Sequence, residues 1–208
     1  DEIIDAYRLA NHDKNIKAIS FTGNGSSFCS GADIDYLSGK KLSKSGLKIG
    51  EDEFIKSFVI ELAKSHKILI AGLHGSCVGI GITMVLPFDM RIAETNTEIS
   101  FPFLKLGILP GLASTYFLPS LVGINKSQEI ILTNATLSAH QAYEIGLINR
   151  VVKKSTINNE INNIVFSFSE THINTLIAAK KAFQPNLEEN VQNAIKNERK
   201  LFKTLLNR

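Results

Sequence analysis

Two glycine-bearing turns carry the residues of this chain that could do chemistry. Phe28-Cys29-Ser30-Gly31-Ala32-Asp33 follows the apolar run Lys17-Ala18-Ile19-Ser20-Phe21, and His74-Gly75-Ser76-Cys77-Val78-Gly79-Ile80-Gly81 follows Ile68-Leu69-Ile70-Ala71. Each run reads as a strand, and each turn leads into a segment compatible with helix. N–H groups at a helix start face negative charge, and glycine lets a backbone come close. Two such turns aimed at one point would hold a single developing oxyanion. The alternative is that both serve only as tight chain reversals.

The surrounding pattern supplies elements to hold these turns. Residues 1–11 predict a helix with Ile3, Ile4, Ala6, Tyr7 and Leu9 on its apolar side, and 17–22 a buried strand. Gly23-Asn24-Gly25-Ser26-Ser27 is a turn, and 38–50, rich in Ser, Gly and Lys, reads as a mobile surface loop. Phe54, Phe58 and Leu62 recur every four residues, which makes 52–65 an amphipathic helix. Ile68–Leu73 is the next strand, followed by a short helix that stops at or before Pro87. Met90–Ala93 is a strand, and Pro110-Gly111 precedes a helix over 112–118. Ser138-Ala139-His140-Gln141 has capping-box spacing, Gly146 suits the end of that helix, and 156–208 is mostly helical. Strands alternating with helices give an α/β fold.

Composition narrows the functional classes. The 208 residues are 44% hydrophobic and 21% charged, enough apolar material for a real core. A net charge of +3 makes no case for nucleic acid or a membrane surface as partner, and no apolar run reaches transmembrane length. The two cysteines, Cys29 and Cys77, build no disulfide framework. They read as free thiols of a reducing compartment, which predicts a cytoplasmic protein. No spacing of His, Cys, Asp or Glu suits a metal, and no phosphate loop or dinucleotide fingerprint occurs, so no cofactor is expected.

The ordered set Phe28–Asp33, His74-Gly75, Gly79-Ile80-Gly81, Asp89, Leu106–Gly111 and Leu137–Val152 resembles the crotonase superfamily, the enoyl-CoA hydratase and isomerase family. The resemblance implies a crotonase fold: a spiral of strand–strand–helix units over 1–152, with the family's first β-hairpin missing upstream of Asp1, and a helical, oligomerising region over 153–208. It implies a homotrimer or a hexamer of two trimers. It also implies that the backbone N–H groups of Ala32 and Ile80 receive a thioester carbonyl oxygen. Ile80 stands where the family usually has glycine, which is tolerable if its φ stays below zero.

By the same resemblance, a hydratase would carry glutamates at Thr83 and Phe103, and some isomerases a single carboxylate at Gly111. None of the three is an acid, and no acid lies between Leu73 and Asp89. Water addition needs a base near the water and an acid for the carbon. An enolate formed by loss of carbon dioxide needs no base. Tyr36 and Lys40, four apart, share a face if the segment is helical. Their spacing after Gly31-Ala32 resembles the crotonase-like decarboxylases of polyketide β-branching cassettes, which act on a glutaconyl group held on an acyl carrier protein. That implies Lys40, assisted by Tyr36, on the departing carboxylate, with Thr83, Phe103 and Gly111 lining the pocket. The subgroup's proton-donating histidine is absent from the final helix, where Phe202 stands, which leaves His172 or another donor.

Plainer readings stand beside these. Lys40, Lys41, Lys44 and Lys48 also fit a solvated charge run, or a patch attracting the phosphates of CoA or a carrier arm. Tyr36 also fits a packing aromatic. His74 reads as structural, His140 as exposed, Cys29 as small-residue packing, and Asp33 as a carboxylate offsetting a helix dipole. Expected partners are an acyl-carrier-protein or CoA thioester. The alternatives are an ordinary enoyl-CoA hydratase or isomerase, and a non-catalytic acyl-thioester-binding protein.

Overall fold

The computed structural model describes residues 2–37, 40–42 and 53–206. In chain order the elements are α1 (Glu2–His12), β1 (Ala18–Thr22), α2 (Ile34–Leu37), α3 (Glu53–Ala63), β2 (Ile68–Leu73), β3 (Ser76–Val78), α4 (Ile80–Thr83), β4 (Met90–Glu94) and β5 (Glu98–Ser100). A 3₁₀ turn (Leu104–Leu106) leads to α5 (Ser114–Val122), α6 (Ile124–Leu132), β6 (Thr136–Ser138), α7 (Ala139–Glu144) and β7 (Arg150–Val152). Helices α8 (Ile157–Ser167), α9 (Ile173–Ala182) and α10 (Leu187–Leu206) follow. Of the segment read as a surface loop, only 40–42 lies within the described residues, and it is exposed.

Two sheets organise the chain. The larger is all parallel, in the order β1-β2-β4-β7, and the smaller runs β3-β5-β6, with β3 parallel and β6 antiparallel to β5. β2 lies in the large sheet and β3 in the small one, and α4 then returns the chain to β4. The same strand–strand–helix step repeats from β4 and β5 into α5 and α6. The first step has only a bridge in its second place, where Cys29 pairs with Cys77 in parallel.

Burial explains why β2 is a continuous apolar run. Leu69, Ala71 and Leu73 face the main core with Tyr7, Phe58, Leu62, Ile82 and Phe101. Ile68 and Ile70 face the other way, with Ile92, against Ile157, Ile161 and Ile164 of α8. A parallel sheet covered on both faces requires this two-sided apolarity, and the 157/161/164 spacing is one stripe of a helix. The capping box at Ser138 and Gln141 forms as its spacing predicts, and Gly146 takes a φ of 79° just past α7.

One expected helix differs. The helix predicted over 112–118 begins at Ser114 and runs to Val122. Leu112 and Ala113 adopt left-handed backbone, with φ of 63° and 55°, so they belong to the turn before it. No helix among the described residues is long and apolar enough to cross a membrane.

One buried and one partly buried cation hold the loop after α4. Arg91, 2% exposed, donates to the carbonyls of Val85, Leu86, Phe88 and Leu147. Burial lowers its pKa to about 10, which leaves it charged at neutral pH. Lys180 of α9 donates to Asp89 at 2.8 Å and to the Lys67 carbonyl at 3.0 Å, while Asp89 also accepts the Leu69 amide. Lys180→Met leaves a partly buried carboxylate without its cation. Urea unfolding should show a loss of about 2–3 kcal/mol, whereas an unchanged midpoint would mean that the pair contributes nothing.

Candidate functional site

Backbone pairing brings the two glycine turns together. The Phe28 amide donates to the His74 carbonyl at 2.8 Å, the Cys29 amide to Ser76 at 3.1 Å, and the Val78 amide to Cys29 at 2.9 Å. Ala32 lies three positions past Cys29, and Ile80 three past Cys77, so the paired cysteines set both residues at the same offset. Both are half-buried. Among the described residues, neither amide donates to a protein acceptor. Backbone N–H groups are normally paired, so the two turns end in donors available to a ligand.

Glycine makes this contact sterically possible at two positions. Gly79 takes φ 55° and ψ −113°, which turns the chain before α4. The residue after it avoids that strain, since Ile80 is not among the non-glycine residues with positive φ. The condition for Ile at that place is therefore met. A Cβ at Gly81 would stand 2.7 Å from the Cys29 Cβ and 3.1 Å from its Sγ, so the turns close on each other only because this position lacks a side chain.

A second lysine, Lys41, stands beside the first turn. α2 ends at Leu37, and Lys40 is exposed in a bend, so Tyr36 and Lys40 do not share a helical face. Lys41 instead lies over the Tyr36 ring, 4.9 Å from its centroid. The Lys41 amide donates to the Asp35 carbonyl at 3.0 Å, and its Nζ pairs with Asp33 Oδ2 at 3.3 Å. Asp33 is the N-cap of α2: Oδ1 accepts the Asp35 amide at 2.9 Å. That amide, with Lys41, holds its carboxyl below the usual carboxylate range.

The remaining positions line up as follows. Thr83 is buried in α4 at 1% exposure, and Phe103 is 8% exposed, its ring edge 4.0 Å from the Cβ position of Gly79. An aromatic wall thus stands against the second turn. Gly111 is half-buried, with open space where a Cβ would be, and its carbonyl accepts the Ser114 amide. His172 is exposed at the N-cap of α9, and its ring makes no hydrogen bond among the described residues. The acids flanking Phe103 in sequence lie elsewhere: Glu98 is exposed at the start of β5, and Glu129 pairs with Lys126 on α6.

His74 behaves structurally, its Nε2 3.3 Å from the Gly25 carbonyl. His140 is exposed. Burial pushes the Cys77 thiol well above its ordinary value, and Cys29 and Cys77 are free. Among the described residues no cluster of three potential metal ligands forms.

Sequence reasoning missed Glu198. It is 8% exposed on α10 and accepts the amides of Ala113 and Thr115 at 3.0 Å each, and the Thr115 hydroxyl at 2.7 Å. A signal was present: Val191, Ile195, Glu198 and Phe202 fall on one helical stripe, so an acid occupies an apolar position. Burial raises its carboxyl above the ordinary 4.5, against the pull of the Thr115 and Ala113 donors.

The family model described as Enoyl-CoA hydratase/isomerase matches residues 1–208. A probable mitochondrial enoyl-CoA hydratase of Dictyostelium discoideum is 29% identical over 201 residues, covering 97% of this chain and 71% of that protein. Enoyl-CoA hydratase ACTT3 of Alternaria alternata is 34% identical over 146 residues, covering 69% of this chain and 48% of that protein. The chain thus spans only about half the length of that second relative. Among solved structures, an enoyl-CoA hydratase from Bacillus halodurans superposes with a TM-score of 0.89 at 24% identity, covering all of this chain and 84% of that one.

Two measurements test this geometry. Gly81→Ala should separate the turns and destabilise the fold by about 1–3 kcal/mol in denaturant unfolding. A neutral result would mean that Cys29 yields freely. For Glu198, the raised folded-state value means that the folded protein keeps a proton the unfolded chain has released. Stability from this group is therefore full below the unfolded value and is lost as pH rises through the folded one. Relative to wild type, Glu198→Gln should gain stability as pH rises from the ordinary glutamate value through the raised folded one. A wild-type-to-variant difference that stays constant across that range would contradict the raised value.

Proposed function

The chain belongs to the enoyl-CoA hydratase/isomerase family, and on that premise we propose that it binds an acyl thioester and stabilises its enolate between the amides of Ala32 and Ile80. The observation that carries this reading is the pair of unengaged amides, set at equal offset from the Cys29–Cys77 bridge. Preorganised donors aimed at developing charge lower a barrier without reorganising, and the loss of one typically costs about 10²–10³ in rate.

The chemistry supported best is enolate formation without a protein base. Thr83, Phe103 and Gly111 offer no carboxyl to activate water, and the Phe103 ring lies against the second turn. In a glutaconyl thioester, the bond from the γ-carbon to the carboxylate breaks. Its electron pair moves through the conjugated system onto the thioester oxygen, carbon dioxide leaves, and the dienolate then takes a proton at carbon. Lys40 is the proposed cation for the carboxylate. Tyr36 takes part through its side chain, which the structure pairs with Lys41. The carrier is a CoA or an acyl-carrier-protein thioester, and His172 is the proposed proton donor.

The assembly belongs to the same reading. Residues 1–152 form the spiral core, and 153–208 the helical region that packs a trimer or hexamer. Exposed Phe166 and Phe183 in that region support it.

A second reading, an ordinary enoyl-CoA hydratase or isomerase, is favoured by the names of the relatives above. Two thioesters separate the readings. Glutaconyl-CoA should lose carbon dioxide, and Lys40→Ala should slow that loss by about tenfold or more, while crotonyl-CoA should hydrate only marginally. Efficient hydration of crotonyl-CoA would establish the second reading. Binding of both thioesters without turnover of either would leave a non-catalytic acyl-thioester binder.

A further inference from the structure

The turn that Glu198 holds is built unlike an ordinary helix start. Ala113 stands at the N-cap of α5, and no side chain caps the helix from there. It and Leu112 both sit in left-handed backbone, a conformation that costs a non-glycine residue about 1–2 kcal/mol. Such strain persists only where the surroundings over-determine it. Here the surroundings are a carboxylate 83 and 85 positions away, on the C-terminal helix.

Glu198 has no ion pair among the described residues, so the three donors at Ala113 and Thr115 satisfy it alone. An acid buried this way is costly unless every donor is in place. The turn and the acid therefore hold each other. In the same loop, Ser114 Oγ is a buried hydroxyl with no hydrogen-bond partner among the described residues, so the turn keeps its conformation despite an unsatisfied group.

The held segment reaches the proposed acyl site in a few steps. The Ser114 amide donates to Gly111, and the Ile108 and Leu106 amides donate to Phe103, so 103–114 is a run of two closed loops. One end places Phe103 against Gly79, and the other is tied to α10.

We propose that Glu198 is a positioning residue for the acyl pocket: from the C-terminal helix it fixes the Gly111–Thr115 turn and thereby sets how tightly the pocket accepts the acyl group. This rests on the acyl-thioester reading of the site given above. Glu198 takes no part in the bond-making steps. It acts through the backbone of the turn.

The test combines ligand binding with amide exchange in the full chain. Acetoacetyl-CoA and free CoA serve as probes, so their affinity ratio isolates the acyl contribution. In Glu198→Ala that ratio should fall about tenfold, with free CoA binding unchanged. Exchange at the Ala113 and Thr115 amides should rise about tenfold relative to the far end of α5. Thr115→Val, which removes only the hydroxyl donor, should give a smaller change of the same kind and guards against a variant that fails to fold.

Unchanged exchange at Ala113 and Thr115 would overturn the proposal. So would faster exchange with an unaltered affinity ratio, which would make Glu198 a purely structural clasp. A wild-type protein that binds neither probe would instead remove the acyl-thioester reading, and the positioning role with it.

Discussion

The site depends on one backbone interaction, the parallel pairing of Cys29 with Cys77. Three hydrogen bonds, from Phe28, Cys29 and Val78, hold the first turn in register beside the second. A slip of one residue would turn the side chains to the opposite face and put the Ala32 amide out of step with that of Ile80. Gly81 lets Cys29 lie against the start of α4, and Gly79 reverses the chain so that Ile80 keeps an ordinary φ. The large parallel sheet supplies the rigidity. β2 is buried along its whole length, so the turn that leaves its carboxyl end has little freedom to move.

The distribution of acids gives the site its character. Asp33 caps α2 and pairs with Lys41, Asp89 is bound by Lys180, and Glu198 grips the turn before α5. Each of these carboxylates is engaged in holding backbone or an ion pair. Thr83, Phe103 and Gly111, the positions proposed to line the pocket, carry no acid. A low-dielectric wall with oriented N–H donors favours dispersed negative charge and supplies little to activate a water molecule.

Much of this was legible in local patterns. The apolar run Ile68–Leu73 announced a strand; that Ile68 and Ile70 face one layer and Leu69, Ala71 and Leu73 the other emerged only with the packing, because β side chains alternate. Ser138 and Gln141 announced a helix start, since a capping box needs only four consecutive residues. The helix read over 112–118 began too early because Leu112 and Ala113 show no propensity for left-handed backbone. In that conformation the Ala113 amide meets a distant carboxylate. Tyr36 and Lys40 shared a face only on the premise of a helix, and α2 stops at Leu37.

The amino-acid sequence by itself determined the strands, the capped helices and the presence of two glycine-bearing turns. Periodicity, capping and glycine conformation act over a few neighbouring positions. Only the tertiary structure decided that Cys29 meets Cys77, that Lys41 rather than Lys40 lies over Tyr36, and that Glu198 closes on Ala113 and Thr115. The cysteine and glutamate contacts join residues distant in the chain. The Lys41 contact depends on where a short helix stops. Packing and backbone pairing select both, and neither leaves a periodic trace in the sequence.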